Sequence, residues 1–272
     1  MRTFTDRVAV VTGAGSGIGR ALAIELARRG CDLAITDRSV EPLGSVADAI
    51  RALGRSVSVH GFDVGERAAW PPFVDAALAA HRGRIHLVVN NAGVSLTGPF
   101  EACSLDDLDW QLRVNLYGVI HGCHFLLPVL RAQDEAHLVN VSSIFGIISV
   151  PDSAAYCMSK HAVRSLTEAL ELELWGSTIR VSSVHPGAVA TRIVTDGRFV
   201  AGPRVDASRA GALIARGIAP ERAATIIADG IAANRRRILV GNDAKLLAAL
   251  HHLMPVRYRN LVARWIERDR AG

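Results

Sequence analysis

Lysine is almost missing from this chain: of 31 basic residues only Lys160 and Lys245 are lysines, and arginine supplies the rest. The net charge of +5 is scattered rather than gathered into a basic patch or stripe, so no nucleic-acid partner is expected and an anionic small molecule accounts for it. Cysteine is scarce too. Cys31, Cys103, Cys123 and Cys157 form no C-x-x-C pair, which excludes a disulfide framework and a thiolate metal site and fits a reducing compartment. His121 and His124 stand at i and i+3, but no carboxylate or cysteine nearby completes a ligand set, so no metal is expected. No apolar run reaches membrane-spanning length. Residues 1–7 are polar and lead straight into a strand instead of forming a secretory leader, and a cytoplasmic protein is the expectation.

What is present is a long alternation of apolar strands and amphipathic helices. With 272 residues, half of them hydrophobic, the chain can bury a large core, and one domain over residues 1–272 is expected. Strands are read at residues 8–11, 32–36, 56–60, 85–89, 136–142, 179–184 and 238–241. Helices are read between them at 18–29, 40–53, 65–80, 105–131 and 154–175. Pro71 and Pro72 mark the first turn of the third helix, and Pro128 predicts a kink or break in the fourth. Alternation of this kind implies an α/β, Rossmann-like, doubly wound parallel sheet with ligands at the carboxyl ends of its strands.

The chemistry points to Tyr156 and Lys160. At i and i+4 they share one helix face, about a turn apart. A tyrosine needs its pKa to fall by roughly 2–3 units, about 3–4 kcal/mol in favour of phenolate, to act as a base near neutral pH. A neighbouring ammonium acts in that direction. Thirteen residues before Tyr156, Ser143 closes the apolar strand at 136–142, and Asn115 sits inside a long helical segment. Near the N-terminus the turn Thr12-Gly-Ala-Gly-Ser-Gly-Ile-Gly19 joins the first strand to a helix, where backbone amides can bind a pyrophosphate. The common G-x-G-x-x-G pattern is not met, because position 18 is Ile.

Taken together, the Thr12-Gly13-x-x-x-Gly17-x-Gly19 turn, Asn90-Asn-Ala-Gly93, Asn115, Ser143 and Tyr156-x-x-x-Lys160 make the chain resemble the short-chain dehydrogenase/reductase family over residues 7 to about 240. The resemblance implies the strand order 3-2-1-4-5-6-7 and hydride transfer between a nicotinamide and a secondary alcohol or ketone. Tyr156 would exchange the hydroxyl proton and Ser143 would hydrogen-bond the substrate oxygen. Lys160 would bind the ribose and lower the tyrosine pKa, and Asn115 would open its helix and hold a water of the proton relay. It assigns the dinucleotide to Gly13, Ser16, Gly17, Ile18, Gly19, Asp63, Val64, Asn91, Ala92, Gly93, Tyr156, Lys160, Pro186, Gly187, Val189 and Thr191, with Asn90 mainly structural. It also implies a lid at 192–220 and pairing into a homodimer or homotetramer through the helices at 105–131 and 154–175.

Asp37-Arg38 ends the second strand, and a carboxylate there accepts from an adenosine ribose and repels a 2′-phosphate, which argues for NAD over NADP. Arg38 keeps NADP open, and an N-cap role for Asp37 is the plainer reading. Apolar residues Ile144, Phe145, Ile147, Ile148 and Val150 follow Ser143, so a hydrophobic substrate is expected. Two further readings stand beside this one: a dinucleotide-binding regulator without chemistry, and an epimerase or dehydratase. Residues 242–272 add a C-terminal helical extension of two short amphipathic helices around Pro255, the second interleaving Tyr258, Leu261, Val262, Trp265 and Ile266 with arginines. Docking on the chain's own lid or on a partner subunit is expected of it; peripheral membrane contact is the alternative.

Overall fold

The computed structural model describes residues 3–202, 211–212 and 215–271, with side chains through residue 264. Residues 203–210, 213 and 214 of the expected lid and the side chains of Trp265 and Ile266 lie outside the described residues.

Seven parallel strands form the sheet: β1 (Val8–Thr12), β2 (Asp32–Asp37), β3 (Val57–Gly61), β4 (Leu87–Asn90), β5 (Ala136–Val141), β6 (Ile179–Pro186) and β7 (Arg237–Val240). Their spatial order is β3-β2-β1-β4-β5-β6-β7, every pairing parallel. Successive side chains of a strand point to opposite faces, and both faces here are covered. Ala9, Val11, Leu33 and Ile35 pack with helices α1 (Gly17–Arg28), α2 (Glu41–Ala52) and α7 (Pro220–Ala232) on one side. Val8, Val10, Ala34 and Val88 pack with α3 (Trp70–Ala80), α5 (Gly118–Arg131) and α6 (Ala154–Glu173) on the other. Strand order reverses at β1, between β2 and β4, and that switch point opens the crevice at the carboxyl edge.

The long helix expected at 105–131 is instead α4 (Leu105–Leu112), a π-turn over Arg113–Tyr117, and α5. The interruption falls at Asn115, whereas Pro128 lies inside α5 and the helix continues past it to Arg131. Pro128 has no N–H to give to the carbonyl four residues back, and α5 ends within one turn of it. The third helix begins at Trp70, with Pro71 and Pro72 in its first turn, after a short 3-10 turn at Arg67–Ala69. Asn90, buried in β4, donates to Asn140 Oδ1 of β5 at 2.8 Å, and Asn140 donates to Thr167 Oγ1 of α6 at 3.0 Å. This buried amide chain pins neighbouring strands as expected.

In the described part of the 192–220 stretch, Arg198–Phe199 pairs in parallel with Leu96–Thr97, tying it to the chain after β4. The C-terminal extension forms α8 (Asn242–Leu253) and α9 (Tyr258–Ala271). Ala244 and Tyr258 bury themselves against Ile144, Ile147 and Ile148. The extension therefore docks on the loop that follows Ser143. No helix among the described residues is long and apolar enough to cross a membrane.

Candidate active site

Six strand ends, those of β1 to β6, build the site. The turn after β1 has Gly13 at φ +66° and Gly17 at φ +51°, conformations that favour glycine. A Cβ at Gly13 would stand 2.8 Å from Ala92 Cα, so the turn lies directly on the chain leaving β4. Thr12 Oγ1 accepts the amides of Asn91 and Ala92, both at 3.0 Å, and Asn91 Nδ2 donates to Thr12 O at 2.9 Å. The Asn91 side chain thus braces the glycine turn. Ser16, the N-cap of α1, makes no side-chain cap bond, and the opening amides of that twelve-residue helix are left for an anion. Thr191 approaches the same place: its Cγ2 lies 3.0 Å from where a Gly17 Cβ would be. Ile18 and Gly19 open α1, and a Cβ on Gly19 would overlap Gly13 O.

At the end of β2, Asp37 Oδ2 accepts the Gly15 amide at 2.9 Å, placing the carboxylate beside the glycine turn, with Arg38 exposed next to it. The N-cap of α2 is Val40, so Asp37 is not that cap. Asp63 Oδ1 accepts from Gly65 N at 2.8 Å, and Val64 is buried after β3. These residues fit a dinucleotide: an open helix N-terminus for the pyrophosphate, glycines that admit close approach, and a carboxylate at the end of β2 for a ribose.

Tyr156 and Lys160 come from the first turns of α6 and Ser143 from the end of β5. Ser143 caps the 3-10 turn Ile144–Gly146, its Oγ accepting Phe145 N at 3.1 Å, and its side chain stands near enough to the Tyr156 phenol to favour the phenolate. Lys160 Nζ is buried, lies 5.7 Å from the Tyr156 ring centroid and donates to Val141 O at 3.1 Å. Asn115 Oδ1 accepts Val94 N at 2.7 Å, while its Nδ2 donates to Val94 O at 2.9 Å and Ser159 Oγ at 3.3 Å. Gly93 sits between these groups: a Cβ there would be 3.3 Å from Asn115 Oδ1 and 3.4 Å from Lys160 Nζ. Both Nδ2 hydrogens of Asn115 are thus given to protein groups, and its Oδ1 already accepts one amide.

The electrostatics differ from the expectation that Lys160 lowers Tyr156. Burial pushes the phenol up to about 12, with the Ser143 hydrogen bond pulling the other way. The same desolvation lowers Lys160 to about 8. In this low-dielectric pocket both charged forms are disfavoured, and the protein's own groups leave the pair short of a phenolate. Cys157, next to Tyr156, is buried and its thiol is raised by desolvation, as befits a packing residue. His121 Nδ1 lies 3.3 Å from Val64 O, and no group of three or more His, Cys, Asp or Glu among the described residues could hold a metal ion.

Pro186 ends β6, Gly187 N donates to Val240 O at 2.9 Å, and Val189 is buried, bridged to Ile218. Sequence reasoning overlooked His185, just before this loop. It is fully buried, its Nδ1–H donates to Ser143 O at 2.9 Å and its Nε2 accepts from Ser183 at 2.9 Å, while burial lowers its pKa to about 4 and keeps it neutral. Only its position beside Pro186-Gly187 could have flagged it. Asp243 and Tyr258, from the extension, were also overlooked as site residues.

The family model for short chain dehydrogenases matches residues 7–198. The SadH protein of Mycobacterium tuberculosis is 37% identical over 268 residues, covering 97% of this chain and 96% of its own. A cyclohexanol dehydrogenase from Acinetobacter sp. is 34% identical over 194 residues, 71% of this chain and 77% of that one. Among solved structures, a short chain dehydrogenase/reductase from Burkholderia phymatum in complex with NAD superimposes with a TM-score of 0.85 at 35% identity, covering 93% of this chain and 95% of that one. With its seven-stranded doubly wound sheet, the chain belongs to the short-chain dehydrogenase/reductase family of oxidoreductases.

Proposed function

We propose that this oxidoreductase is NAD(H)-dependent and moves hydride between the nicotinamide and a hydrophobic secondary alcohol or ketone. The observation that carries the reading is the convergence of Ser143, Tyr156 and Lys160 at the end of β5, with Lys160 Nζ 5.7 Å from the Tyr156 ring centroid and donating to Val141 O at 3.1 Å. The bound dinucleotide supplies the hydride acceptor or donor. Ser143 holds the substrate oxygen against Tyr156, which exchanges its proton. Lys160 holds the ribose and, once charged, favours phenolate; the positive charge of an oxidised nicotinamide adds to it and offsets the burial that raises the phenol. Asn115 supports the relay through the π-turn. Asp37 receives the adenosine ribose and selects NAD, Asp63 and Val64 flank the adenine, and Pro186, Gly187, Val189 and Thr191 embrace the nicotinamide end. Asn91, Ala92 and Gly93 line the pocket from β4. Apolar Ile144, Phe145, Ile147 and Ile148 form the substrate wall. The similarity to a cyclohexanol dehydrogenase and to an NAD complex supports a cyclic or aliphatic secondary alcohol and NAD. Chains pair through α4–α5 and α6, where Leu105, Tyr117, Met158 and Leu172 are exposed.

A panel of hydrophobic secondary alcohols assayed for NAD reduction tests the reading, and turnover is expected on part of it. Tight NAD binding with no turnover on any member would favour a dinucleotide-binding regulator instead.

A further inference from the structure

The C-terminal extension touches the site at two points that the proposed chemistry does not use. The first is Asp243, in the opening turn of α8. Its Oδ2 accepts the Ala188 amide at 2.7 Å, within the loop that carries Pro186, Gly187, Val189 and Thr191. Two glycines make room for this one carboxylate. A Cβ at Gly187 or at Gly241 would overlap it, and Gly241 turns from β7 into α8 at φ +101°. On its other side the loop is held by Ile218, whose amide donates to Ala188 O at 3.1 Å and whose carbonyl accepts Ala190 N at 2.9 Å. The loop therefore hangs between the extension and the chain entering α7.

The second point is Tyr258, the first residue of α9, which is 4% exposed. Its hydroxyl accepts the Ser149 amide at 3.2 Å, and its ring meets His251 edge-on at 5.1 Å. Leu247, Leu250 and Val262 pack against the apolar cluster that joins Tyr258 to Ile144, Ile147 and Ile148. From the same loop Phe145 meets the Tyr156 ring nearly perpendicularly at 6.3 Å. Each contact satisfies a backbone amide that has a single hydrogen to give, so each fixes its loop more directly than a pair of mobile surface side chains would.

We infer that the extension is a brace across both walls of the active site, in which Asp243 positions the dinucleotide-side loop at 186–191 and Tyr258 positions the apolar substrate-side wall at 144–150. Both are positioning residues, and the names of the two walls rest on the proposed function. A passive cap would give one uniform loss of stability. A brace gives a split. Asp243→Ala raises Kd and KM for NAD(H) threefold or more and leaves the alcohol KM within twofold, whereas Asp243→Asn, which keeps an acceptor oxygen, restores most of the affinity. Tyr258→Phe raises the alcohol KM and reorders the alcohol panel while the Kd for NAD(H) holds. Because a Cβ at Gly187 acts by displacing Asp243, Gly187→Ala weakens NAD(H) binding in the wild-type background and adds little to Asp243→Ala.

Hydrogen exchange reads the brace without catalysis. The Ala188 amide exchanges at least threefold faster in Asp243→Ala, and the Ser149 amide does so in Tyr258→Phe. Wild-type exchange at both amides, or variants that lose thermal stability with unchanged kinetic constants, would overturn the inference. If Asp243→Ala does not fold, Gly187→Ala decides the loop at 186–191: normal NAD(H) affinity with normal Ala188 exchange in that variant overturns it. Should the wild-type chain bind no dinucleotide at all, the functional reading fails while the exchange measurements still judge the brace.

Discussion

Lys160 is placed where a lysine is costly, and replacing it measures that cost. Burial lowers its ammonium from the ordinary 10.5 to about 8, with no carboxylate beside it to compensate. At roughly 1.4 kcal/mol per unit, the charged form costs the fold about 3 kcal/mol near neutral pH. Removing the side chain also strips Val141 O of its 3.1 Å donor, which returns about 1 kcal/mol of that gain. Lys160→Met is therefore expected to be more stable than the wild type by about 2 kcal/mol near neutral pH, and to be inactive. The sign of the pH dependence follows from the direction of the shift. A lysine whose folded pKa is depressed binds fewer protons in the folded state, so its penalty is full below about 8 and fades as pH rises towards 10.5. Urea unfolding of both proteins without added dinucleotide, at about pH 7 and about pH 9.5, should show the gap shrinking by roughly 2 kcal/mol at equal m-values. A less stable Met variant, or a gap that ignores pH, would refute the burial argument.

Three further outcomes are expected. NAD should give the better kcat/KM because Asp37 stands beside the glycine turn, and Asp37→Ala should erode that preference; NADP ahead by tenfold, about 1.4 kcal/mol the other way, would hand the pocket to Arg38, and Asp37→Ala would then leave NAD use almost untouched. Alkylation of the native chain should modify Cys103 first, because Cys31 and Cys123 are buried and pushed up to about 12 and Cys157 is buried and raised, and peptide mapping that found Cys123 ahead would contradict this. Light scattering should report at least a dimer, and introducing arginine at Leu172, exposed on α6, should weaken it; a monomeric wild type would remove the proposed pairing surface.

The sheet was legible because its strands are nearly unbroken apolar runs in which odd and even positions face different helical layers, as Val8 through Val11 do. Helix ends were less so. Pro128 looked like a kink or break in the fourth helix, yet α5 runs past it; the opening is the π-turn at Asn115, which the family resemblance implied, and only the bonds from the Asn115 amide to Val94 lie beyond any local pattern. The pairing of Tyr156 with Lys160 could be read from spacing. Its electrostatics could not, because desolvation depends on what the rest of the chain packs around the pair, and that raised the phenol instead of lowering it. The amphipathic character of α8 and α9 was visible, but their seat was not. Asp243 meets Ala188 and Tyr258 meets Ser149 across 55 and 109 residues of sequence, which spacing rules do not reach.

The central claim, that Tyr156 exchanges the proton in a nicotinamide-linked hydride transfer, is tested most directly by Tyr156→Phe. The substitution keeps the ring against Phe145 and removes only the hydroxyl. With any alcohol the wild type oxidises, the account predicts a fall in kcat of roughly 10²–10⁴-fold, with NAD(H) binding, followed by nicotinamide fluorescence, retained. Wild-type turnover by Tyr156→Phe, with the same cofactor affinity, would contradict it.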